Sequence, residues 1–215
     1  PAMNIHRDIR CGRNFEYFSE DPLVSGIFAK AITDSVQAHS GCGGTIKHFA
    51  ANFMEYGRLS TSSDVDERTL NEIYFPAFRR AVQDAKVGSV MSGYNLVNGI
   101  YCCENGYLMQ TMLRDQWKYP FMSVSDWGAP YYALGQPDMV LHMLDHGVDM
   151  EAATPGYYQI KLADVQQYIA DGKLSEERID EKVLDILRTI YYFHLDEYTA
   201  ADKTISLDSE ESAQV

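Results

Sequence analysis

Pro120-Phe121-Met122-Ser123-Val124-Ser125-Asp126-Trp127-Gly128 is a short, mostly apolar run that stops abruptly at a carboxylate, an indole and a glycine. A run of this length and character fits a buried strand. In parallel α/β architectures, residues at the carboxyl ends of strands face the site of chemistry. Asp126 occupies such an end, beside an aromatic ring able to stack on a sugar. The same Ser-Asp-Trp sequence also suits a helix start, with Asp as N-cap and Trp in the core. The rest of the chain decides between these readings.

Working outward, short apolar runs alternate with amphipathic ones. Met3-Ile5, Gly44-Phe49, Ser89-Tyr94 and Val148-Glu151 read as further strands. Between them the spacing predicts a helix from Asp21-Pro22 to about Ala38, with Asp21 as N-cap and Pro22 in the first turn. A second follows Asp66-Glu67 and aligns Leu70, Ile73, Tyr74, Ala77, Phe78 and Ala81 on one stripe. A third carries Leu108, Met112, Leu113 and Trp117, and a fourth runs from about Asp138 to Asp145. The later part is purely helical, from Ile160 to Ala170 and from Ser175 to Phe193.

Strand–helix alternation implies a parallel sheet, doubly wound or closed into a barrel. No G-x-G-x-x-G follows a strand, which argues against dinucleotide binding. Five candidate strands are present, where a closed (β/α)8 barrel needs eight. The expected fold is therefore α/β, a partial TIM-type barrel containing the later strands and helices only. Residues 1–195 form that portion. Residues 196–215 read as an acidic linker and the start of a further domain, with Ser206 to Ser212 resembling a helix start.

At 215 residues with 46% hydrophobic content the composition is that of a globular chain. A net charge of −13 argues against nucleic acid or anionic lipid as partner, and no apolar run is long enough to span a membrane. Cys11, Cys42, Cys102 and Cys103 form no C-x-x-C pair and read as ordinary thiols, which leaves the compartment open. No metal, nucleotide or redox cofactor is implied.

Several strand ends are polar: Lys47-His48, Tyr94-Asn95, Asp126-Trp127, and Asp149 with Glu151. The first strand runs into His6, Arg7, Asp8, Arg10, Arg13 and Glu16. Each has a structural explanation alone, such as a core histidine or a surface ion pair worth little. Together they mark one functional rim.

Arg10-Cys11-Gly12-Arg13-Asn14-Phe15-Glu16-Tyr17-Phe18-Ser19-Glu20-Asp21-Pro22 resembles a signature of glycoside hydrolase family 3. Lys47-His48-Phe49, Asp66-Glu67-Arg68-Thr69-Leu70, Met91-Ser92-Gly93-Tyr94-Asn95, Asn98-Gly99 and Ser125-Asp126-Trp127-Gly128 follow in the family's order. The likeness covers nearly the whole chain and is nearest the β-glucosidase branch. It implies a retaining exo-β-glucosidase with Asp126 as nucleophile. Arg13, Lys47, His48, Arg58 and Tyr94 would bind the sugar, and Trp127 would form part of the wall. Arg13, Lys47 and Arg58 are expected to depress the pKa of Asp126.

Retaining chemistry needs a second carboxyl group about 5 Å from the nucleophile. The resemblance assigns it to a glutamate on an α/β-sandwich domain beyond Val215, and a further sugar-binding aspartate to a segment before Pro1. Expected partners are thus a β-glucoside or oligosaccharide and the remaining barrel and sandwich segments, in one longer chain or a separate one. A β-xylosidase or α-arabinofuranosidase of the same family is the enzymatic alternative. A catalytically incomplete binding or assembly module is the alternative from another class.

Overall fold

The computed structural model describes residues 1–39, 41–133, 135–153 and 156–197. The expected linker and helix start after residue 197 therefore lie outside the described residues. Three parallel strands form the centre: β1 (Thr45–Phe49), β3 (Ser89–Ser92) and β6 (Met122–Val124), in that spatial order. Thr45 lies opposite Ser89, and Ser89 opposite Met122. Parallel bridges extend the sheet at both sides, Ala2 to Lys47 and Val124 to Met150. Five consecutive chain segments thus sit side by side and parallel, each joined to the next by a crossover, as in an arc of a barrel.

The strands are shorter than their apolar runs. Met3-Ile5 forms no regular strand, the one bridge falling at Ala2, and Val148-Glu151 reduces to a bridge at Met150; beyond Ala2 the Asn4 side chain takes over the bonding to the His48 backbone. Beyond β6, Ser125 N–H still donates to Met150 O (3.0 Å) and Gly128 N–H to Ala152 O (2.7 Å), so pairing outlasts the regular ladder.

The helices follow the pattern closely. In α1 (Pro22–Gln37) the Asp21 carboxylate accepts from Leu23 N–H and Val24 N–H, as an N-cap should. The second helical stretch comprises α2 (Glu67–Thr69), a wide turn at Leu70–Tyr74 and α3 (Pro76–Gln83). Helices α1 and α3 pack together, and Gly26 permits it: a Cβ there would stand 3.3 Å from Arg80 Cδ and 3.7 Å from Ala77 Cα. Residues Tyr107–Gln116 form a π-helical segment. Then come α4 (Ala129–Tyr132), α5 (Met139–His146), α6 (Leu162–Ala170) and α7 (Glu176–Tyr192). Between sheet and helices, fully buried Phe49 packs against Phe75, Phe78 and Trp117 with ring centroids 5.2–5.6 Å apart.

A second, small sheet was not anticipated. It joins β2 (Ser62–Ser63), β4 (Leu96–Val97) and β5 (Ile100–Tyr101). Asn98 and Gly99 close the hairpin with φ of 51° and 82°, the left-handed pair that tight hairpins favour. The Asn98 amide also bonds both backbone polar groups of Val65, which ties this flap to the start of α2.

Candidate active site

The carboxyl ends of β1, β3 and β6 open into a cleft of about 490 Å³. Its lining includes Arg13, Lys47, His48, Arg58, Tyr94, Asp126 and Trp127, all seven residues singled out from the sequence. A larger cavity of about 930 Å³ lies near the amino end of β6, against Trp117, Phe121 and α7, but no carboxylate lines it. Size therefore does not identify the site, whereas its chemistry does.

Asp126 sits two residues beyond β6 and is buried. Oδ1 accepts from the Trp127 backbone N–H at 2.8 Å. Oδ2 lies 3.4 Å from His48 Nε2 and has no hydrogen-bond partner among the described residues. Gly128, at φ 66°, then turns the chain away into α4, a conformation costly for residues with a Cβ.

His48 ends the β1 side of the floor, almost wholly buried. Burial, reinforced by the charges of Arg13, Lys47 and Arg58, pushes its pKa down to about 2, so the ring is neutral. Asn4 holds it from the neighbouring segment: its Oδ1 accepts from His48 N–H (2.9 Å) and its Nδ2 donates to His48 O (3.1 Å). Sequence reading missed Asn4, since its role depends on a partner 44 residues away.

The cations form a ring above the floor. Glu16 bonds both Arg13 and Lys47, the latter at 3.2 Å. Burial would raise the Glu16 carboxyl, but hydrogen bonds from Arg13 and Lys47 outweigh it and hold it below its ordinary value. Arg58 pairs with Glu55 at 3.0 Å and lies over the Tyr94 ring, 4.7 Å from its centroid. Tyr94 Oη donates to the Trp127 carbonyl, and burial together with the Asp126 charge pushes its pKa up to about 12. From the sequence Glu16 was read only as one of the charged cluster after the first strand, with Arg13–Glu16 as a local pair, and Glu55 was given no role. The pair is a partly buried anchor for two cationic side chains of the cleft.

One electrostatic expectation needs correction. The three cations do lower the pKa of Asp126, but burial raises it more, and the net shift is upward. The cations are themselves partly neutralised by Glu16 and Glu55, so they cannot offset the loss of water around the carboxylate. Asp149 and Glu151 take no part in the cleft. Asp149 is buried among Arg114, Ser123 and Lys182, and Glu151 accepts from the Gln159 and Ile160 amides.

Residues 1–189 match the family model for the glycosyl hydrolase family 3 N-terminal domain. The chain belongs to glycosyl hydrolase family 3. Thermostable beta-glucosidase B of Acetivibrio thermocellus is 42% identical over 191 residues, 89% of this chain and 24% of that protein. An exo-alpha-(1->6)-L-arabinopyranosidase of Bifidobacterium longum is 43% identical over 131 residues, 61% of this chain and 17% of that protein. Among solved structures, beta-glucosidase 3B from Thermotoga neapolitana in complex with alpha-D-glucose superposes with a TM-score of 0.82 at 38% identity, over 100% of this chain and 29% of that one. This family 3 chain thus spans about a quarter of the length of these beta-glucosidases. The fold they share with it is the family's TIM-type barrel, of which it forms an arc. No helix among the described residues is long and apolar enough to cross a membrane.

Proposed function

We propose that this chain is part of a retaining, exo-acting β-glucosidase in which Asp126 is the nucleophile. The observation that carries the reading is a buried strand-end carboxylate with one oxygen free of hydrogen bonds, facing a cleft lined by Arg13, Lys47 and Arg58. A nucleophile needs a lone pair not committed to a hydrogen bond, and Trp127 N–H holds the other oxygen so that the free one is fixed in place. Attack at the anomeric carbon forms a glycosyl–Asp126 ester and expels the aglycone, and water later cleaves the ester with net retention.

Arg13 and Lys47 donate charge-assisted hydrogen bonds to the sugar hydroxyls. Those that strengthen as the ring flattens toward an oxocarbenium ion lower the barrier rather than merely bind. Neutral His48 contributes a donor without adding a further cation against Asp126. Neither cleft glutamate suits the acid/base role, because both are bound by arginine or lysine and Glu16 is held ionised. The acid/base group is assigned to a glutamate of another segment, outside residues 1–215.

The test is incubation with a 2-deoxy-2-fluoro-β-glucoside bearing an activated leaving group, followed by intact-mass measurement and peptide mapping. The expected product is one fluoroglucosyl adduct on the peptide containing Asp126. An adduct on another residue, or none on folded protein that turns over glucosides, overturns the assignment. The arabinopyranosidase relative supports a pentoside reading as the second choice, so the matching fluoro-pentoside belongs in the same experiment.

A further inference from the structure

Helix α7 is fixed to the fold by one face. Lys182 Nζ donates to Gly147 O and Val148 O, and the Met122 N–H donates to Thr189 Oγ1 at 2.8 Å. Phe193, just past the helix, closes on Gly88, where a Cβ would stand 3.0 Å from its ring. These contacts follow the amino ends of the strands, away from the cleft. The outer face carries Val183, Leu184, Leu187, Tyr191 and Tyr192, all between 39% and 63% exposed. Leu184, Leu187 and Tyr191 recur at i, i+3 and i+7, a single stripe of a helix. Beside them opens the cavity of about 930 Å³, walled also by Trp117 and Phe121. An uncovered apolar stripe along an apolar groove marks an interaction surface.

Charges on this face are sorted by sign. Residues 176–181, at the start of α7, hold Glu176, Glu177, Asp180 and Glu181 against Arg178 alone. The groove beside the later turns is lined by Lys86, Lys118 and Arg188 and by no Asp or Glu. The carboxylates nearest Lys86 and Lys118 in sequence are committed elsewhere, Asp84 to Arg80 at 3.3 Å and Asp115 to Gln110 at 2.9 Å. An acidic start, an apolar middle and a basic flank at the far end complement themselves when two copies run antiparallel. Setting Leu184 of one copy against Leu187 of the other brings Asp180 to Tyr191, beside the groove lysines. A small anionic ligand would account for the basic groove but leave the acidic start of the stripe without a role.

We propose that the outer face of α7 and its groove form a two-fold interface between copies of this chain. The acidic start of each helix meets Lys86 and Lys118 of the other copy. At 17 residues, the helix is about 25 Å long, room enough for an amphipathic helix to dock in a groove. The cleft lies at the opposite ends of the strands and stays open in such a dimer.

Sedimentation equilibrium on the full-length protein tests this. Dimers are expected, dissociating more readily as salt rises. Lys118→Glu and Asp180→Lys, both at exposed positions, should each weaken dimerisation about tenfold. The double variant should recover most of that loss, because both two-fold contacts regain opposite charges. Leu187→Asp should leave only monomer, and melting curves separate loss of the interface from loss of the fold. Should that variant unfold, the charge pair still decides. A parent protein that stays monomeric at every concentration overturns the proposal, as does a dimer that the single charge reversals leave intact or the double variant fails to restore. A monomer that instead binds anilinonaphthalene sulfonate, with affinity lost in Lys118→Glu, overturns it in favour of a small apolar anion.

Discussion

Two ionic clusters flank β6, and they are built on opposite principles. At its amino end, Arg114, Asp149, Lys182 and Asp185 form a closed set. Arg114 bonds Asp149, Asp185 and the carbonyls of Tyr119 and Phe121. Lys182 Nζ donates to Gly147 O and Val148 O at 3.1 Å and lies 3.8 Å from Asp149. At the carboxyl end, Asp126 Oδ2 and His48 Nδ1 are buried without hydrogen-bond partners among the described residues. Buried polar groups are ordinarily satisfied, and exceptions call for an explanation. The amino-end cluster spends its charges on itself and stabilises the fold, whereas the carboxyl-end cluster keeps bonding capacity for something else.

Substituting the two aspartates breaks this comparison most sharply. Asp126→Asn removes the proposed nucleophile and should lower kcat/KM on an aryl glucoside on the order of 10⁴-fold or more. Stability should hold or rise slightly, because burial already disfavours the ionised form. Asp149→Ala should do the converse. It takes a carboxylate from part-buried Arg114, which keeps Asp185, and from buried Lys182, and removing one partner of a buried pair costs about 3–5 kcal/mol. Urea unfolding measures that loss, and the fraction still folded should keep its turnover. If Asp126→Asn proves the more destabilising of the two, the contrast between the clusters is wrong.

A subtler change sharpens the contrast within the cleft. Glu16→Gln keeps the shape but releases Arg13 and Lys47 from their shared anion. Misplaced binding groups should lower kcat/KM about 10²-fold, with little change in melting temperature. A second readout distinguishes this from a merely structural defect. With Glu16 neutral, the two cations act on Asp126 uncompensated, so the acid limb of the pH–rate profile should move to lower pH. An unmoved limb would mean that Glu16 does not tune the site.

How much of this was legible in the chain follows from the range of the interactions involved. Asp126, Lys47, His48 and Tyr94 could be read because strand ends and their polar residues are adjacent in sequence. Helix α1 was equally plain, since Asp21-Pro22 carries both cap and first turn. Asn4 was invisible as a site residue, because its amide grips the His48 backbone across 44 positions. Asp149 looked like a rim carboxylate for the same reason that Asp126 did. A strand end alone does not say which way a side chain turns, and Arg114 draws this one to the other end. The upward shift of Asp126 was missed because residue types disclose nearby charge but not the loss of water.

The smallest predicted effect lies in the closed cluster and concerns pH. Burial, the largest influence, and the charge of Asp149 raise the Asp185 carboxyl to about 6 against the pull of Arg114 and Arg188. Between pH 4 and 6 the folded state therefore binds a proton that the unfolded chain has released. Stability from this group is greatest below about pH 4 and falls as pH rises toward 6. Other carboxylates, such as Glu16, are lowered and slope the opposite way, so the signal lies in a difference. Asp185→Asn, relative to the parent protein, should gain about 1–2 kcal/mol of relative stability on going from pH 4 to pH 7. Arg114 keeps its partner Asp149 in that variant, so the network need not collapse. A difference that is flat across this range would show that Arg114 and Arg188 hold Asp185 ionised throughout, and that even the closed cluster has no spare proton to give.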